Sequence, residues 1–216
     1  MGGIFNINSP FFKVMSKVFD IFVLSLIWTV CCIPVITIGP ATTALYYSVV
    51  KSIRKDRSYP VKEFFKSFKQ NFKTGAITST VLTLLSLLLT LNLSYAKAMQ
   101  SSFGNFLWYL YLVLLILVFV ISMYVYPVLS RFTVTFRNLL KLSLFFSIRH
   151  FLTTIVSILI VAAGVFVVLI SALIGLVFVP GVCALLSSFM MEGVLKRYTP
   201  DAKPEEGDMV DEWYNE

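Results

Sequence analysis

The chain has 216 residues, is 58% hydrophobic and carries a formal net charge of +7, yet only 13% of its residues are charged. A soluble domain carries about 25% charged residues, so an ordinary water-soluble fold is excluded. The basic residues lie between uncharged runs at 21–50, 74–96, 98–130 and 151–191, a distribution that fits topology signals and anionic lipid headgroups rather than a nucleic-acid surface.

About 20 apolar residues cross a bilayer as one helix. The runs at 74–96 and 98–130 are therefore one span each, and 151–191 is long enough for two. The first run is too long for one simple span and short for two. The expected fold is an all-α, polytopic membrane helical bundle of about five spans. To these are added a broken or re-entrant first segment and an interfacial amphipathic helix. The bundle takes residues 1–197, with no separate soluble domain. Residues 198–216 hold seven acids and one lysine and are expected to form a solvated, disordered cytoplasmic tail.

In chain order, Ser9 is a candidate cap for a helix with Pro10 at its first position. Phe11, Phe12, Met15, Val18 and Phe19 fall near one face, which suits a short helix on the membrane surface. A first span is expected from about Lys17 to Ile33. Pro34, Gly39 and Pro40 then break it, because each proline lacks an N–H and clashes with the preceding turn. The freed carbonyls need partners in hydrocarbon. Thr37, Thr42 and Thr43 supply hydroxyls within a few residues, and Tyr126 is a candidate partner from another span. Pro34, Thr37, Gly39, Pro40, Thr42, Thr43 and Tyr126 are thus the candidate functional break, weighed against a kink that only shapes the bundle.

Residues 51–73 carry eight Lys and Arg. From Pro60, Phe64, Phe65, Phe68 and Phe72 form an apolar stripe at helical spacing, and Lys62, Lys66, Lys69 and Lys73 a basic one. This predicts a helix at the membrane interface or one that docks a partner. Trp108, Tyr109 and Tyr111 open a later span as an aromatic belt. Residues 131–149 repeat the basic, amphipathic style of 51–73. His150, the lone histidine, sits at a helix boundary and reads as interfacial. The last two spans part near Ser171 to Gly175. A faint echo aligns Pro40–Leu45 with Pro180–Leu185, for which coincidence is the simpler account.

The loops 51–73 and 131–149 hold twelve basic residues against one in 97–105. They and the C-terminus are expected to be cytoplasmic, with 97–105 outside. A hairpin through Pro34–Pro40 keeps Lys13 and Lys17 on the basic side; a single crossing leaves them opposite. The charge count leans towards the hairpin.

GIFN near the start, IPVITIGPATTALYYSVVKSIRKD, FFKSFKQNFK and YVYPVLSRFTVTFRNLLKLSLFFSIRHF together resemble the YesL family of bacterial membrane proteins, over about residues 1–196. The resemblance implies a domain of unknown function, found mainly in Gram-positive bacteria and commonly encoded beside carbohydrate ABC importers. It implies a plasma-membrane location, a link to carbohydrate uptake and importer subunits as candidate partners. It supplies no catalytic residues.

Chemistry is sparse. Cys31, Cys32 and Cys183 lie in apolar runs without metal or redox spacing. No carboxylate sits deep in a run, and no nucleophile–base spacing or phosphate loop is present. The expectation is a non-enzyme without cofactor or metal, an accessory, scaffold or regulatory membrane protein. The alternative is a small-solute transporter or channel, for which ionisable groups at mid-membrane are expected and none is read from the runs.

Overall fold

A computed structural model describes residues 10–56, 58–132, 134–171 and 173–198. The expected acidic tail beyond Tyr198, and the candidate cap Ser9, lie outside the described residues. The elements are α1 Pro10–Cys31, α2 Ile38–Ser48, α3 Pro60–Gln70, α4 Phe72–Ala98, α5 Ser102–Arg131, α6 Phe136–Arg149, α7 Phe151–Ser171 and α8 Leu173–Lys196. Among the described residues there is no strand, and five helices are long and apolar enough to cross a membrane: Phe12–Cys31 of α1, α4, α5, α7 and Val177–Lys196 of α8.

The expected surface helix and first span are one continuous helix, α1, because no breaker falls between Pro10 and Cys31. The break follows it. Pro34 stays extended, Val35–Thr37 make a single 3₁₀ turn, and α2 starts at Ile38. Past Ser48 the helix widens into π-type turns over Val49–Arg54, a geometry that is rare and often found at functional sites. Asp56 ends it in the left-handed region, φ 51°, which Asp tolerates better than most residues. Its carboxylate meets Lys17 Nζ at 2.9 Å. The chain therefore leaves α1 at Cys31 and comes back to its N-terminal half at Lys17, so the segment folds back as a hairpin. The 17 residues from Ile38 to Arg54 reach roughly 25 Å, short of the roughly 30 Å hydrocarbon core.

This returning helix is the axis of the molecule. Nine of its eleven α-helical residues are buried. One face, Ala41, Ala44, Leu45, Val49 and Ile53, joins Ile21, Leu24 and Phe64 in one core. The other, Tyr46 and Val50, joins Tyr124, Val128, Leu139, Phe146, Met191 and Leu195 in a second. Thus α3 closes one core and α6 the other. Where α2 meets α4, a Cβ on Gly39 would collide with the Gly75 carbonyl, and one on Gly75 would sit 2.9 Å from Pro40 N. Only small residues allow so close an approach of two backbones. Large side chains of α4, α5 and α7, among them Leu88, Val113, Phe166 and Leu169, point outwards, as a lipid-facing surface requires.

Candidate functional site

The break satisfies its own backbone. The Thr37 hydroxyl donates to the Cys31 and Pro34 carbonyls, and Ser79 Oγ of α4 reaches Ile36 O at 3.1 Å. Thr42 and Thr43 donate back to Ile38 O and Gly39 O at 2.7 and 3.0 Å. Trp28 Nε1 donates to Thr42 Oγ1 at 3.2 Å, tying α1 to α2. These bonds meet the need that the two prolines create.

Of the break residues, Thr42 and Tyr126 line one cavity of about 500 Å³ between α1, α2, α5, α7 and α8. Pro34, Thr37, Gly39, Pro40 and Thr43 are not in its wall. Half of its twenty lining residues are Val, Leu, Met or Pro, and six carry hydroxyls: Thr42, Tyr46, Ser122, Tyr126, Ser157 and Ser187. The two echoing segments also meet here: Thr42 and Leu45 from one, Pro180, Cys183 and Ala184 from the other.

Buried charge is the feature that reading the runs for mid-span carboxylates missed. Lys51 Nζ lies 3.2 Å from Glu63 Oε2, with side chains 6% and 7% exposed, and Arg131 Nη1 lies 3.0 Å from Glu192 Oε2, with 2% and 5% exposed. Tyr46 Oη donates to Glu192 Oε1 at 3.3 Å, and Tyr47 Oη accepts from Lys51 at 3.2 Å. Arg54 donates to Ser188 O at 2.6 Å and lies over the Phe189 ring. Consecutive tyrosines on α2 thus serve a charge pair on each side, one joining α2 to α3, the other joining α2, α5 and α8. Burial pushes the Glu63 carboxyl up, but the hydrogen bond from Ser58 Oγ (2.7 Å) and the Lys51 ammonium outweigh it, so its net shift is downward. A signal for one pair was legible: Glu192 stands in MMEGVL, a carboxylate flanked by apolar residues. Arg131 and Lys51 were read only as topology markers.

The amphipathic helix predicted from Pro60 through Lys73 is split at Asn71: α3 ends at Gln70, and Phe72 and Lys73 open α4. Phe64 is fully buried against α1 and α2 and stacks on half-buried Phe68, centroids 6.1 Å apart. Phe65 and Phe72 remain exposed, as do Lys62, Lys69 and Lys73, with Lys66 half-buried. His150 caps α6, its Nε2 3.3 Å from Tyr198 Oη. Burial, then Arg197 and Arg149, push its pKa below the ordinary histidine value. No group of three or more His, Cys, Asp or Glu placed to hold a metal occurs among the described residues.

Fold and site together define a multi-pass helical membrane protein organised on a buried, broken helix. Residues 21–93, which run from α1 through the break, α2 and α3 into α4, match the family model described as a protein of unknown function, DUF624. No curated protein and no solved structure matches the chain.

Proposed function

We propose that the protein is a non-catalytic accessory or scaffold component of carbohydrate uptake in a bacterial plasma membrane. Its basic loops 51–73 and 131–149 and its C-terminus face the cytoplasm. The observation that carries this reading is the face of α3. One side is fixed to the bundle by Phe64 and the Lys51–Glu63 pair, the other presents Lys62, Phe65 and Lys69, and Phe72 and Lys73 are exposed beside it at the start of α4. A rigid cationic and aromatic face suits anionic headgroups and an acidic partner surface. The link to carbohydrate, and importer subunits as the partner, rest on the YesL resemblance. The cavity lining argues in the same direction, since sugars need many hydrogen bonds and three of the six wall hydroxyls, Thr42, Tyr46 and Ser122, are already bonded to protein groups.

The alternative, a small-solute carrier or channel, is favoured by the cavity itself. Co-purification and flux separate the two. The accessory reading expects importer membrane subunits to co-purify with the wild-type chain and to be lost with a Lys62→Ala, Lys69→Ala, Lys73→Ala variant that still folds. Oligosaccharide flux in vesicles holding this protein alone, with no subunit recovered, would overturn it. The orientation expects Ser101→Cys to label from outside intact cells and Lys62→Cys not to.

A further inference from the structure

We infer that the cavity holds one acyl chain of a bilayer lipid, taken in sideways from the membrane, with the ester carbonyl at Ser157. The shape points there first. The lining runs along α7 from Ser157 to Leu169 and along α8 from Val179 to Met191, twelve residue steps each, or roughly 18 Å of helix. Dividing the cavity volume of about 500 Å³ by that length leaves a mean cross-section of roughly 28 Å². That width admits an extended hydrocarbon chain.

The chemistry agrees. Val161, Val165, Val168 and Val179 line the α7–α8 side of the cavity, the wall hydroxyls of Thr42, Tyr46 and Ser122 are bonded to other protein groups, and an apolar cavity takes apolar guests. Val165 and Leu169 line the cavity while 53% and 77% exposed. The slot therefore opens at α7 onto the apolar flank that a bilayer covers, and a lipid tail reaches it without leaving hydrocarbon.

Polarity sets the direction of the chain. Ser157 is 1% exposed, and its Oγ finds no hydrogen-bond partner among the described residues. A buried hydroxyl without a partner is unfavourable, and an ester carbonyl accepting from it supplies the missing bond. The register of the α7–α8 hairpin, with Cys183 Sγ directed at Ile160 O, places Ser157 towards Met191. Glu192 follows Met191 and is paired with Arg131. The carbonyl end thus lies nearest the charged end of the bundle, and the methyl end reaches Leu169.

The test uses the full chain in vesicles of phosphatidylglycerol and phosphatidylethanolamine, with a trace of phosphatidylglycerol carrying a photoactivatable diazirine in one acyl chain. After irradiation, the labelled residues are mapped by mass spectrometry. Labels are expected to concentrate on Val161, Val165, Val168 and Val179 over Val113 and Ile116, which are lipid-facing on α5 and 60% and 54% exposed. Val161→Trp, which fills the slot, should bring lining labels down to the α5 level. Ser157→Ala, which leaves the slot open, should lower them about fivefold, as for one lost hydrogen bond. Equal labelling of slot and α5 surface, or lining labels unchanged by both variants, would overturn the proposal. So would labelling by the free diazirine fatty acid but not by the phospholipid.

Discussion

α2 and α7 are both uncharged helices, and they occupy the molecule in opposite ways. α2 is eleven residues long and buries all but two of them. α7 has 21 residues and buries four, Thr153, Thr154, Ser157 and Gly164, while Phe166, Leu169 and Ile170 are 65%, 77% and 71% exposed. The larger and more apolar side chains are on the outside. In a bilayer, lipid tails are as apolar as leucine, so nothing drives large apolar residues inward. α7 meets the bundle instead through small and hydroxylic residues, while α2 also buries groups that lipid cannot satisfy. In α2 these are Gly39, Thr43, Ser48 and, just beyond, Lys51.

This contrast predicts where substitutions hurt. The largest effect is expected at Gly39. A leucine there drives into the Gly75 carbonyl and Ser79, overpacking two backbones with no flexible side chain to yield, by roughly 3 kcal/mol or more. Gly39→Leu should be lost from the monodisperse peak in size-exclusion chromatography of detergent extracts. A normal peak and melting temperature would show that α2 and α4 do not touch there.

The charge pair comes next. Glu192→Ala leaves Arg131 buried without its carboxylate, which costs about 3–5 kcal/mol. Replacing both residues with methionine should recover much of that loss, because the cost lies in the uncompensated charge. Thermal unfolding in detergent measures both; a double variant no better than the single one would refute the pairing.

A smaller effect is tied to pH. The folded Glu63 carboxyl lies below its ordinary value of 4.5. Its contribution is therefore fully present above that ordinary value and fades as the pH falls through the lowered folded one. Hydrogen exchange of α3 should be flat in pH above 4.5 and rise in stronger acid, after correction for intrinsic rates. Glu63→Gln should abolish that acid step; an identical step in the variant would assign it to another group.

The smallest effect is expected on the outer face of α7. Phe166→Ala should change the melting free energy by about 0.5 kcal/mol or less. A loss as large as that of Glu192→Ala would mean that α7 faces protein there.

Hydropathy and charge made much of this legible before any coordinates. They separate the long spans, flag Pro34–Pro40 as a break, and set Lys13 and Lys17 against the basic loops as the evidence for a hairpin. Two things were hidden. Lys51, Arg131 and Glu192 stand at the ends of apolar runs, where a snorkelling or topology role is the ordinary reading. Only tertiary packing, α5 and α8 on α2 and α3 on α2, turns them inward as pairs. The cavity was hidden because it is made by five helices distant in sequence. Thr42 and Tyr126 were singled out for their hydroxyls near the break, and nothing local points to Ser157.

The central claim is that the break at Pro34–Pro40 folds α2 back beside α1. The most direct measurement is a zero-length carbodiimide cross-link on the wild-type chain in native membranes, followed by peptide mapping. The folded-back account predicts an amide joining Lys17 to Asp56, whose side chains lie 2.9 Å apart and are both accessible, and its loss in Asp56→Asn. Absence of that cross-link, together with labelling of Lys17 from the side of the membrane opposite Lys62, would contradict it.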